Sequence, residues 1–89
     1  MIIRQNDMVS STIHDEEVVL LDMSKEVYYG LEGATMLLWN ELSNGPVDTV
    51  KILEEWKSKY DHSEEEEVEH IFSQSLHELT SRDLVVIDT

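Results

Sequence analysis

The stretch Leu20-Leu21-Asp22-Met23-Ser24-Lys25-Glu26-Val27-Tyr28-Tyr29-Gly30-Leu31, with a helix opening directly after it at Gly33-Ala34, constrains this chain most. Val18-Val19-Leu20-Leu21 is a continuous apolar run, too short for a helix between two polar turns, and its β-branched start predicts a strand buried on both faces. The polar segment Asp22 to Glu26 reverses the chain, and Val27 to Leu31 forms the next strand. That strand is short, aromatic and followed by helices, so it is expected to end a sheet with one side unpaired. A strand without a neighbour exposes a row of N–H and C=O groups that an extended peptide can complete.

The flanking sequence sets this hairpin in an α+β domain. Met8 to His14 alternates loosely, with Val9 and Ile13 apolar and Ser10 and Thr12 polar, and reads as a strand ahead of a turn at His14-Asp15-Glu16. Three antiparallel strands joined by short turns make a meander with two outer edges. From Gly33 the period becomes helical through Ala34, Leu37, Leu38, Glu41 and Leu42, with Met36 and Trp39 widening the stripe. Asn44-Gly45-Pro46 ends this helix and starts a second, whose apolar face carries Val47, Val50, Leu53, Trp56 and Tyr60 with Ile52 beside it. Ser63 and Glu66 fit a capping box for a third helix, with Glu64, Glu65 and Glu67 in the positive field of its N-terminus. Its apolar face is Val68, Ile71, Phe72, Ser75, Leu76 and Leu79, and Leu84 to Ile87 is a final strand. The expected architecture is winged-helix-like: a three-stranded antiparallel N-terminal sheet, three helices and a short C-terminal strand in one domain over residues 1–89.

Charge excludes more functions than it suggests. Twenty acids against six bases give a formal charge of −14, which opposes nucleic acid and anionic membrane, because phosphate affinity comes from clustered Lys and Arg. A winged-helix domain often reads DNA with its third helix, but here that helix opens on four consecutive acids. Cysteine is absent, removing disulfides and thiol chemistry. The start Met1 to Asp7 lacks the apolar run of a signal peptide and nothing approaches a membrane span, so the expectation is a soluble cytoplasmic protein.

Leu21-Asp22, the polar turn, Val27-Tyr28-Tyr29-Gly30-Leu31-Glu32-Gly33-Ala34, then Trp39 and Leu42, resemble the PqqD-like peptide-recognition family. Pro46, Val50, Leu53 and Tyr60, and the series Val68, Phe72, Leu76, Leu79, Leu84 and Val85, follow the same arrangement, so the likeness covers residues 8 to 87 through joint order and spacing. The family's turn commonly holds Gly where this chain has Lys25-Glu26, and Asn where it has Glu32. The resemblance implies a non-enzymatic recognition element that captures the leader segment of a ribosomally made precursor and presents it to a processing enzyme. A freestanding acidic copy looks most like the discrete recognition protein of a lasso-peptide pathway, with a separate leader peptidase and a macrolactam-forming cyclase as partners. The alternatives are a PqqD-type chaperone serving a radical enzyme and a winged-helix transcriptional regulator.

The same resemblance implies that the leader lies antiparallel on Val27, Tyr28, Tyr29, Gly30 and Leu31, in a groove beside the third helix. Ile71, Ser75 and Glu78 fall at one margin of that helix's apolar stripe and are candidates for the groove wall, with Phe72 and Leu79 shaping its floor. Main-chain bonds hold any extended peptide, so selectivity requires pockets for alternate side chains. Tyr28 and Tyr29 point to opposite faces of the sheet, and the residues alone leave open which one faces the groove. Trp39 and Trp56 lie on apolar helix faces and are read as core.

Chemistry has little support. His14, His62, His70 and His77 show no recognised ligand spacing, so no metal and no cofactor are expected. No Ser-His-Asp ordering, phosphate-cradling Gly loop or HExxH motif is present, leaving no catalytic residue to name. Exposed edges make a monomer or a weak, strand-exchanged dimer the expected state.

Overall fold

The computed structural model describes residues 1–62 and 64–88, which fold as two small sheets packed around three helices. The strands are β1 (Ile2–Gln5), β2 (Val9–His14), β3 (Glu17–Asp22), β4 (Val27–Leu31), β5 (Val47–Asp48) and β6 (Val85–Ile87). The helices are α1 (Gly33–Glu41), α2 (Thr49–Lys59) and α3 (Glu65–Ser81). The expected antiparallel meander is present as the sheet β2-β3-β4. The hairpin register pairs Val18 with Leu31, Leu20 with Tyr29 and Asp22 with Val27.

Beside it stands a second sheet, ordered β5-β1-β6, that the sequence pattern did not announce. Its centre is the N-terminal segment: Ile3 pairs with Val47 on one side and Ile87 on the other, and is fully buried. Gln5 Nε2 donates to the Trp39 carbonyl at 3.1 Å, tying this sheet to α1. Val47 is therefore strand rather than the start of the second helix. Asp48 takes the capping role, its Oδ1 accepting from Val50 N at 2.9 Å, so α2 begins at Thr49 and Pro46 lies outside it.

The later start turns the α2 face. Ile52 and Trp56 are buried, while Val50 and Tyr60, placed on the apolar face by spacing, are exposed. Of the expected α3 face, Val68, Phe72, Ser75 and Leu79 are buried, at positions i, i+4, i+7 and i+11, while Leu76 is half-buried and Ile71 is exposed. The capping box expected from Ser63 lies outside the described residues. Glu65, Glu66 and Glu67 occupy the first turn of α3, where the helix dipole favours negative charge.

One core joins both sheets and all three helices. Val18, Leu20 and Leu31 meet Leu38, Trp39, Leu42, Ile52, Trp56, Phe72 and Leu79, and Ile3, Leu84 and Val85 close the far side. The Trp56 and Phe72 rings meet edge to face, centroids 5.2 Å apart, joining α2 to α3.

The chain passes from β4 into α1 through Gly33, whose φ of +61° lies in the left-handed region. A Cβ there would meet nothing within 4 Å, so the cost of a side chain is conformational rather than steric. Gly33→Ala should destabilise the domain by roughly 1–2 kcal/mol in denaturant titration with an unchanged m-value. A stability equal to wild type would mean that this turn relaxes freely.

Candidate functional site

Strand β4 has one neighbour, β3, and its other side is unpaired among the described residues. The direction of its backbone groups follows from the bonds of the hairpin. Met23 N donates to the Met8 carbonyl at 2.9 Å, extending the β2–β3 register by one pair. Because N–H groups alternate along a strand, Leu21 and Val19 also face β2, and Asp22, Leu20 and Val18 face β4. Their partners Val27, Tyr29 and Leu31 are thus committed to β3. The N–H and C=O of Tyr28 and Gly30 point to the open edge.

Side chains divide the other way. Val27, Tyr29 and Leu31 share the face of buried Val18, Leu20 and Asp22, while Tyr28 and Gly30 stand on the outward face. Tyr29 is therefore the tyrosine turned toward the helices and is half-buried, whereas Tyr28 is 70% exposed. Strand and side-chain roles separate cleanly: Tyr28 offers backbone to the edge, and Tyr29 turns its ring to the helix side.

A chain of contacts holds the C-terminal half of α3 alongside β4. Lys25 Nζ in the hairpin turn pairs with Asp83 Oδ2 at 2.8 Å. The Arg82 guanidinium lies 5.2 Å from the Tyr29 ring centroid, and its Nη1 is 3.1 Å from Glu78 Oε1. Thr35 Oγ1, on α1, donates to the second Glu78 oxygen at 2.8 Å. The exposed ion pairs among these contacts are individually weak because water screens them, but together the contacts tie the strand to the end of the helix.

The named α3 residues fall at different depths. Ile71 is 46% exposed and Glu78 half-buried, so both are accessible at the surface of α3. Ser75 and Phe72 are buried and Leu79 has no exposed surface, so these three are core residues and do not line a groove as wall or floor. Leu31, also buried, belongs to the core end of β4. Spacing had not singled out Arg82, Thr35 or Leu37 for the site. The signal available for Leu37 is the run Met36-Leu37-Leu38-Trp39, because four consecutive apolar residues on a helix cannot all face one side.

An apolar cavity of about 270 Å³ lies between α1, α2 and α3. Gly33, Ala34, Leu37, Trp56, Tyr60, Val68 and Ile71 line it, with Glu67 as its charged member.

The turn that aims β4 is organised by Asp22. Its Oδ1 accepts from Ser24 N at 3.0 Å, Ser24 Oγ at 2.7 Å and Lys25 N at 3.2 Å. These bonds hold the chain through to Glu26, whose φ of +56° is left-handed. The Ser24 hydroxyl is the main cause holding the Asp22 carboxyl below its ordinary 3.8, against the opposing effect of burial. The folded state therefore favours the charged form. That contribution is complete above the ordinary value and is lost as pH falls below 3.8 through the folded value. Asp22→Asn keeps the Oδ1 acceptor but cannot titrate. The stability difference between wild type and this variant should shrink as pH drops through that window, read from paired thermal melts. A constant difference would separate Asp22 from the acid sensitivity.

Among the described residues no group of three or more His, Cys, Asp or Glu side chains is placed to hold a metal ion. No helix among them is long and apolar enough to cross a membrane.

No family model matches the chain, and no curated protein matches it. Among solved structures, TbiB1 in complex with the TbiA(beta) leader peptide superposes with a TM-score of 0.76 at 27% sequence identity. The match covers 92% of this chain and 93% of that one. The likeness therefore extends over most of both chains.

Proposed function

We propose that this protein is a non-enzymatic recognition element that captures the leader segment of a ribosomally made precursor peptide. The guest adds to β4 as a fourth strand beside α3, and the protein presents it to a processing peptidase, as in a lasso-peptide pathway. The observation that carries this reading is the near full-length likeness to a protein solved with a leader peptide bound, together with an open edge at β4. Main-chain bonds from Tyr28 and Gly30 supply sequence-tolerant affinity of roughly 0.5–1.5 kcal/mol each. Selectivity then falls to the groove and its cavity. The charge of −14 accelerates encounter with a basic guest and repels nucleic acid.

The test begins with random displayed peptides selected on immobilised protein. Enriched peptides should bind purified protein in solution and slow amide exchange at Tyr28 and Gly30. Binding that leaves both amides unprotected would place the guest elsewhere. Addition of a candidate leader peptidase from the same gene neighbourhood should yield cleavage of its precursor that depends on this protein. Equal cleavage without it would remove the presenting role. A radical-enzyme partner differs from this reading only downstream of capture. The regulator reading meets the acids at the start of α3, and duplex DNA titrated at low salt should not bind.

A further inference from the structure

Gly30 is the one glycine of this chain that its own backbone does not explain. Gly33 and Gly45 have φ of +61° and +128°, where a side chain is strained, whereas the φ of Gly30 lies outside that region and its β3–β4 register is unbroken. A strand interior disfavours glycine unless something approaches the bare backbone closely. Here it is Glu17. A Cβ on Gly30 would lie 3.2 Å from Glu17 Oε1, 3.3 Å from Cδ and 3.6 Å from Oε2, so the carboxylate occupies the place of the missing side chain. Glu17 stands on the outward face of the sheet, two residues before Val19, the partner of Gly30, and leans diagonally onto β4.

The open edge makes this carboxylate a neighbour of whatever pairs with β4. The N–H and C=O of Gly30 point to that edge, so a guest residue facing Gly30 exchanges both bonds with it and raises its side chain on the same outward face. Opposed side chains on one face stand about 4.5–5.5 Å apart at Cβ, within reach of a long cationic side chain. Resting on the reading of β4 as the guest-binding edge, we propose that Glu17 is a specificity-determining residue whose carboxylate selects lysine or arginine at the guest position facing Gly30. A side chain at Gly30 would push the carboxylate back toward β3, and its absence brings the charge to the last strand before the guest. The Glu17 side chain makes no hydrogen bond or ion pair among the described residues, so a guest cation meets an uncommitted partner. His14, which faces Glu17 from β2, lies on the side away from the open edge. The charge of −14 attracts a basic peptide without regard to where its cations stand. Glu17 adds a requirement of position, on the face of the sheet turned away from the helices.

A lysine scan tests this. A peptide enriched from the displayed random library is remade with Lys or Gln at each position of its strand-forming segment in turn, and binding is read by fluorescence anisotropy at low salt. The long-range field gives a similar preference for Lys at every position. At one position the preference should exceed that level by about threefold. The excess should vanish in Glu17→Gln, and in Gly30→Ala, whose methyl displaces the carboxylate. It should persist in Glu55→Gln, an equal change of charge at an exposed site on α2. Glu17 and Gly30 are both exposed, and thermal melts show that each variant is folded. Three results would overturn the selection while leaving strand capture standing, as judged by loss of binding in Tyr28→Pro. They are an excess at no position, an excess kept in full by Glu17→Gln or Gly30→Ala, and an excess lost equally in Glu55→Gln. Failure to enrich any peptide that Tyr28→Pro rejects would overturn strand capture and the role of Glu17 together.

Discussion

Tyr28→Pro should abolish most peptide binding without unfolding the protein, while Tyr28→Ala should retain it. Proline removes the N–H that faces the open edge and sets its ring where the guest backbone would approach. The ladder to β3 is untouched, because at this pair of strands the bonds run through Val27, Tyr29 and Leu31. Loss of one edge bond and displacement of its neighbour together amount to about 1.4 kcal/mol or more, a rise in Kd of about tenfold or greater. Alanine keeps the N–H and removes only an outward ring that is 70% exposed. Tyr29→Pro provides the contrast: it breaks a bond to β3 and should lower the melting temperature itself. Fluorescence anisotropy with a selected peptide, alongside thermal melts, reads both effects. Tight binding by a folded Tyr28→Pro variant would remove strand addition at β4.

Ile3→Ala should destabilise the domain by about 2–5 kcal/mol, a large share of the stability expected for a chain of this size. Ile3 is fully buried in the central strand of the second sheet, and its truncation leaves a cavity in the core it shares with Leu84 and Val85. Deletion of residues 1–6 should be more severe. It strips the partner from β5 and β6 and removes the bonds from Gln5 to Trp39 and from Asn6 Nδ2 to the Asp83 carbonyl. Asp83 also holds Lys25, so loss of the N-terminal strand should loosen the groove as well as the fold. Chemical denaturation of both variants measures this directly. A truncated chain as stable as the parent would show that the second sheet is decoration.

Much of the architecture was legible because it is written in local periodicity. The run Val18 to Leu21, the turn and Val27 to Leu31 announced the hairpin, and the α3 seam of Val68, Phe72, Ser75 and Leu79 followed from helical spacing. Trp39 and Trp56 are core, as their helix faces implied. Other features left little local trace. Strand β1 is four residues at the chain end and β5 only two, lengths at which no period can register. Their pairing is a contact between residues more than forty positions apart. The exposure of Val50 and Tyr60 likewise followed from where α2 starts, which Asp48 and the strand at Val47 set together.

The sequence by itself determined the types of the longer elements, the acidic surface and the hairpin with an aromatic final strand, because each depends on neighbours within a few residues. Only the tertiary structure decided that Tyr29 turns inward, that Tyr28 and Gly30 present their backbone to the open edge, and that Leu37 and Ile71 border one cavity. Those facts depend on strand register and helix placement, which long-range packing fixes and local composition does not encode.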